Sequence, residues 1–125
     1  MSERIVIDHV TVVVTDLTAS QRFYDAALAS LGFQRVLHFP GATGYGSVDR
    51  KPDFWIITGE PATTGVHVAF VAASRELVDD FHAAALAAGG TPRHEPKEWP
   101  IYHAGYYGAF VDDPDGNNIE AVHHG

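Results

Sequence analysis

A segment near the N-terminus of the chain recurs 58 residues later without a gap. His9 falls on His67, Val10 on Val68, Val13 on Val71, Phe23 on Phe81, Gly32 on Gly90 and Arg35 on Arg93. Ala26, Ala27, Leu28 and Ala29 fall on Ala84, Ala85, Leu86 and Ala87. Alanine-rich stretches coincide by accident; histidine, phenylalanine, glycine and arginine in one unbroken register do not. A chain of 125 residues made of two like halves folds as two like modules. They cover about residues 1–62 and 63–125 of a single domain. Neither half is large enough to enclose much of a core, so the two must associate, within one chain or between chains.

Each half reads as a strand, a helix and three further strands. The β-branched runs Ile5–Val14 and Gly65–Ala73 predict the first strand of each copy. The helices start at Asp16 and Ser74, which the repeat pairs and whose side chains suit an N-cap. Apolar stripes follow, through Leu17, Phe23, Tyr24, Ala27, Leu28 and Leu31 in one and Leu77, Val78, Phe81, Ala84, Ala85 and Leu86 in the other. Gly32 and the Gly89–Gly90 pair stop them. The segments FQRVLHF, GYGSVD and FWIIT, then TPRHEP, GYYGAFVDD and NNIEAVHH, supply the remaining strands, with DPDGN as a tight turn before the last. The sequence KEWPIYHA, from Lys97 to Ala104, is an insertion of the second copy, either a surface loop or a lid over a site. The expected class is α+β: two βαβββ modules forming a curved mixed sheet around a cleft.

Composition removes several function classes. A net charge of −8 leaves no basic patch for phosphates, so no nucleic-acid partner is expected. No apolar run approaches the length of a membrane span, and no signal-peptide pattern opens the chain, so a cytoplasmic protein with no membrane partner is expected. There are no cysteines, so there is neither a disulfide framework nor a thiolate nucleophile, and any metal falls to histidine and carboxylate.

Strand alternation then selects residues. In the first strand the valine-rich face, Val10, Val12 and Val14, packs on the helices, leaving His9 on the other side. In the fifth strand His67 opposes the apolar Val66, Val68 and Phe70, and in the last strand Glu120 opposes Ile119 and Ala121. Two imidazoles and a carboxylate on open faces suit a divalent metal ion, Fe, Mn, Ni, Co or Zn, with positions left for water and substrate.

The segments DHVTVVVTDLTASQRFYDAAL and YYGAFVDDPDGNNIEAV resemble the vicinal oxygen chelate superfamily, which includes glyoxalases, bleomycin-resistance proteins and extradiol dioxygenases. The resemblance covers almost the whole chain. It implies paired βαβββ modules around a cleft, with metal ligands on the first and last strands of each module. Carried onto this sequence, those ligands match His9, His67 and Glu120. Matching Gly116 to Pro52 brings Glu120 onto Ile56, so the fourth ligand of glyoxalase I-like enzymes is missing and Glu120 is the only carboxylate left to move a proton.

The resemblance implies a small metal-dependent enzyme that chelates two adjacent oxygens of a small-molecule substrate and acts as a lyase or isomerase, with Glu120 catalytic. A homodimer is expected, with modules paired within a chain or exchanged so that His9 meets His67 and Glu120 of the other copy. The rival readings are a metal-free drug-binding protein of bleomycin-resistance type and a dioxygenase-like or fosfomycin-resistance-like member. Tyr45, Phe54, Ile56, His103 and Tyr106 are the candidate substrate contacts, with Trp55 beside them as a further cleft residue, since small-molecule sites are rich in aromatics; the alternatives are ordinary packing for the aromatics and a plain loop position for His103. The terminal His123 and His124 are expected to fray, and His38, His82 and His94 receive no role.

Overall fold

The computed structural model describes residues 6–49 and 51–125. Its elements run β1 (Val10–Val14), α1 (Leu17–Ala29), β2 (Gln34–Phe39), β3 (Ala42–Gly46), β4 (Phe54–Thr58), β5 (His67–Val71), α2 (Arg75–Ala87), β6 (Thr91–Glu98), β7 (Tyr107–Asp112) and β8 (Asn118–His123). This is the expected α+β pattern of βαβββ, twice. The first strand is shorter than the Ile5–Val14 run: residues 6–9 carry no ladder bonds, and Ile5 lies outside the described residues.

The helices begin where the repeat places them. Asp16 accepts from the Ala19 amide at 3.1 Å, and Ser74 accepts from the Leu77 amide at 3.2 Å. Each side chain satisfies one of the unpaired amides of a first turn, a bond whose loss typically costs about 1 kcal/mol. The shared glycine after the helices serves different needs in the two copies. Gly32 has a φ of 85°, which only glycine adopts without strain. Gly90 sits where a Cβ would lie 2.5 Å from Val111 and 2.7 Å from Phe23, so the modules meet too closely there for any side chain.

The strands form two four-stranded sheets, ordered β1-β4-β3-β2 and β5-β8-β7-β6. In each, the first strand runs parallel to the last strand of its module and the other pairs are antiparallel. Both β1 and β5 are therefore outer strands, and Thr63 bonds to Val13 on the edge of β1.

One core joins the two modules. Val12, Val14, Phe23, Tyr24, Leu28 and Ile56 of the first pack in the same cluster as Val78, Phe81, Ala85, Val111, Ile119 and Ala121 of the second. The helices lie against each other inside it. Each buried Phe or Leu contributes about 1.5–3 kcal/mol. Because the helix-bearing faces are turned together, the opposite face of each sheet looks outward from the shared core. Within one chain the eight strands stay as two sheets.

The DPDGN turn fastens the modules from the other end. Asp113 is buried and accepts from the Tyr24 hydroxyl and from the amides of Asp115 and Asn117. Asn117 accepts from the Val66 amide and donates to the Thr63 carbonyl, while Asp115 holds Thr15. Its carboxylates thus satisfy backbone and cross-module donors, the structural role expected of it.

Candidate functional site

His67 opens β5 and Glu120 lies in the middle of β8. The pairing of His67 with Asn118 and Ala69 with Glu120 puts the two side chains diagonally across adjacent strands on the open face. His67 Nε2 lies 2.7 Å from Glu120 Oε1. Glu120 is 1% exposed, whereas the imidazole is half exposed. The other carboxylate oxygen, Oε2, accepts from the Tyr106 hydroxyl. A buried carboxylate needs such partners, because an unpaired charge is costly to desolvate. Partial burial, then the bond to Glu120 and its charge, raise the Tyr106 hydroxyl well above the ordinary phenol range, so it stays a donor.

The surroundings are aromatic. Phe110 pairs with Glu120 across β7 and β8, and its ring lies 5.9 Å from that of His67. His94 and Trp99 stand edge-on to Phe110 at 5.5 and 5.3 Å. The segment between β6 and β7 closes back on the same face: Trp99 donates its indole N–H to the Gly108 carbonyl at 3.0 Å, and its amide donates to the Tyr106 carbonyl. Of the two roles expected for the insertion, surface loop or lid, the contacts show a loop folded onto the sheet.

His9 stands elsewhere. It precedes β1, its Nδ1 is 2.7 Å from Oδ1 of Asp8, and Asp8 also pairs with Lys51. The Lys51 ammonium first, and His9 second, hold the Asp8 carboxyl below its ordinary range. Among the described residues, no three His, Asp or Glu side chains converge as a metal site. The structure brings together two of the three sequence-derived ligands and leaves His9 apart from them within the chain.

The strand registers correct the position of the missing fourth ligand. Val10 pairs with Phe54, and its repeat partner Val68 pairs with Ile119. Phe54 therefore corresponds to Ile119, and Trp55, not Ile56, corresponds to Glu120. The turn-based match of Gly116 to Pro52 is one residue out, and a one-residue slip moves every side chain to the other face. Ile56 is accordingly buried in the core rather than facing a cleft. Phe54 is also in the core against Tyr24, with one edge bordering a cavity of about 790 Å³ between the outer strands β1 and β5. Tyr45 is buried on the helix side as well, donating to Asp25 at 2.9 Å. On the open face of the first sheet stands Trp55, stacked on the half-exposed Phe39 with ring centres 6.0 Å apart and planes 11° from parallel.

His103 is an exposed loop residue, as one of its two expected roles required. Its Nδ1 is 2.8 Å from the Ala104 carbonyl and its Nε2 is 2.9 Å from Nδ1 of His124. His124 does not hang free: it stacks on His103 and meets the Tyr106 ring edge-on. His123 lies near the Ala72 carbonyl, its Nδ1 at 3.0 Å. Tyr107 donates to Asp79 under the Arg75 guanidinium, away from Glu120. Sequence reasoning weighed Trp55 as a cleft residue but missed Trp99 and Phe110; a strict alternation through FWIIT, with Ile56 on the buried side, separates Trp55 from Phe54.

A βαβββ pair with histidine and glutamate on the open face of one module and histidine at the matching strand start of the other defines a class of protein. The profile of the Glyoxalase/Bleomycin resistance protein/Dioxygenase superfamily matches residues 6–121, and the chain belongs to that superfamily. A glyoxalase/bleomycin resistance protein from Albidiferax ferrireducens T118 is 39% identical, with a TM-score of 0.80 over 94% of this chain and 98% of that one. A glyoxalase/bleomycin resistance protein/dioxygenase family enzyme from Burkholderia phytofirmans PsJN shares the fold at 23% identity and TM-score 0.72, over 94% and 98% of the two chains. A lactoylglutathione lyase from Agrobacterium tumefaciens does so at 21% and 0.68, over 98% and 96%. No curated protein sequence matches the chain. No helix of the described residues is long and apolar enough to cross a membrane.

Proposed function

We propose that the protein is a homodimeric, metal-dependent enzyme whose site is shared between chains: His67 and Glu120 of one copy with His9 of the other. The carrying observation is the His67–Glu120 pair, a buried carboxylate and an accessible imidazole converging on one open face, with no third His, Asp or Glu joining them among the described residues. Neutral imidazole and carboxylate oxygen fit a divalent ion of the Fe, Mn, Ni, Co or Zn group.

Pairing between copies is supported by the chain's own surface. The outward-facing sheets leave β1 and β5 as outer strands, with Thr63 bonded to Val13 on the β1 edge, and proteins normally cover such edges. Val6 and Ile7, just before β1, and Val71, at the end of β5, are 83%, 69% and 71% exposed, more apolar surface than a solitary chain leaves open without purpose.

A bound ion would supply Lewis acidity toward two adjacent oxygens of a small substrate. The chain's own residues do the rest. Glu120, shielded from water, is the carboxylate that would hold the ion beside His67. Trp55 and Phe39 present a flat apolar wall from the first module, and the Phe110–Trp99 edge does so from the second. Trp55 stands where a second carboxylate would, so the four-ligand arrangement of glyoxalase I-like enzymes is absent, and the preference for isomerase or lyase chemistry rests on the superfamily, whose members include a lactoylglutathione lyase.

A second reading has its own observation. The exposed Phe39–Trp55 stack suits a flat drug-like molecule, as in binding proteins of bleomycin-resistance type, with no reaction. Metal analysis of untagged protein separates the two. The enzyme reading expects stoichiometric divalent metal that His67→Ala abolishes; a protein that takes up no divalent ion fits the binding reading alone.

A further inference from the structure

We propose that Tyr106 is a positioning residue for Glu120: its hydroxyl occupies Oε2, so that the carboxylate offers Oε1 alone beside His67 and acts as a single-oxygen ligand. This rests on the reading of His67 and Glu120 as metal ligands. The two oxygens of Glu120 are already distinguished by their partners, Oε1 with His67 and Oε2 with Tyr106. The carboxylate is buried, so water does not compete for Oε2.

The Tyr106 ring is itself held on several sides. Tyr102, His103 and His124 surround it with ring centres at 4.8, 5.3 and 5.4 Å. Its carbonyl accepts from Trp99 and its amide donates to the His103 carbonyl. The insertion from Lys97 to Ala104 thereby acquires a purpose: it supplies the aromatic support that fixes one phenol. The strand beneath is cut to fit. A Cβ at Gly108 would lie 3.0 Å from Glu120 Oε2 and 3.3 Å from the Tyr106 ring, so a side chain there would press on the hydroxyl–carboxylate contact. Groups that hold a ligand from outside the metal's own shell commonly change affinity 10–100-fold when removed.

The test is cobalt(II) titration of the intact protein, followed by visible absorption, for wild type, Tyr106→Phe and Gly108→Ala. Tyr106→Phe keeps the ring and loses only the hydroxyl. The expected result is cobalt affinity weaker by about 10–100-fold, with weakened, shifted absorption bands as the freed Oε2 joins Oε1 on the ion. A Tyr106→Phe protein with the affinity and spectrum of wild type overturns the inference while leaving the metal reading intact. Wild type that binds no cobalt overturns both. Should Tyr106→Phe not fold, Gly108→Ala, which keeps the hydroxyl but displaces it, carries the same two outcomes.

Discussion

Nε2 of His67 lies 2.7 Å from Oε1 of Glu120, although the residues are 53 positions apart in the chain. Parallel pairing of β5 with β8 makes them neighbours, and burial of Glu120 makes the pair chemically distinct from a surface contact. Glu120→Gln keeps the shape and removes the charge. Loss of an ion's own ligand should exceed the effect of removing a supporting group, so cobalt affinity is expected to fall by more than about 100-fold, read by isothermal titration. An unchanged affinity would remove Glu120 from the site.

Trp55 occupies the position equivalent to Glu120 in the first module. Trp55→Glu restores a second carboxylate where the repeat places one. The expected outcome is divalent-metal affinity raised by roughly 10-fold or more, measured by competition with a chelator, because an added anionic oxygen suits these ions. The stack on Phe39 is lost at the same time, so any binding of flat aromatic compounds should weaken.

How much of this was legible in the sequence follows from what a repeat can and cannot transmit. The gap-free match from His9 to Arg35 carries the strand–helix unit, and the caps at Asp16 and Ser74 fall where it puts them. Beyond the helices the copies differ in loop length, and register has to be guessed from turns. Matching Gly116 to Pro52 cost one residue, and with it Ile56 replaced Trp55 on the open face. Tyr45 was misplaced for a related reason: an aromatic residue in a strand looks alike whether it faces a core or a cleft. His124 looked like a frayed end because sequence does not show that the insertion folds back to meet it. The separation of His9 from His67 and Glu120 depends on how the modules associate, which a repeat leaves open.

The Asp113 carboxylate collects donors from Tyr24, Asp115 and Asn117. Asp113→Ala leaves a buried hydroxyl and two amides short of an acceptor, at about 1–3 kcal/mol each. A loss of at least about 3 kcal/mol is expected in urea unfolding. A variant within 1 kcal/mol or so of wild type would deny the turn its role as a fastening between modules.

Tyr24 gives the fold an alkaline limit. Burial first, and the Asp113 charge next, raise its hydroxyl well above the ordinary value of 10.0. Above about pH 10 the unfolded chain releases this proton while the folded chain keeps it, so the unfolded state gains and stability falls as pH rises. Melting temperature should be flat near neutrality and drop from about pH 10 upward. Tyr24→Phe, though less stable at neutral pH, should show a shallower drop; an identical slope would rule Tyr24 out as the cause.

The central claim is that one site is built from two chains, and mixed dimers test it most directly. A His9→Ala chain and a Glu120→Ala chain, each with its own tag, are co-expressed and the heterodimer isolated. Neither mutant homodimer has a complete ligand set. In the heterodimer, His9 of one chain meets His67 and Glu120 of the other, restoring one intact site. The account predicts one tightly bound cobalt ion per heterodimer with the affinity of wild type. A heterodimer that binds no more metal than the two parent mutants would contradict it.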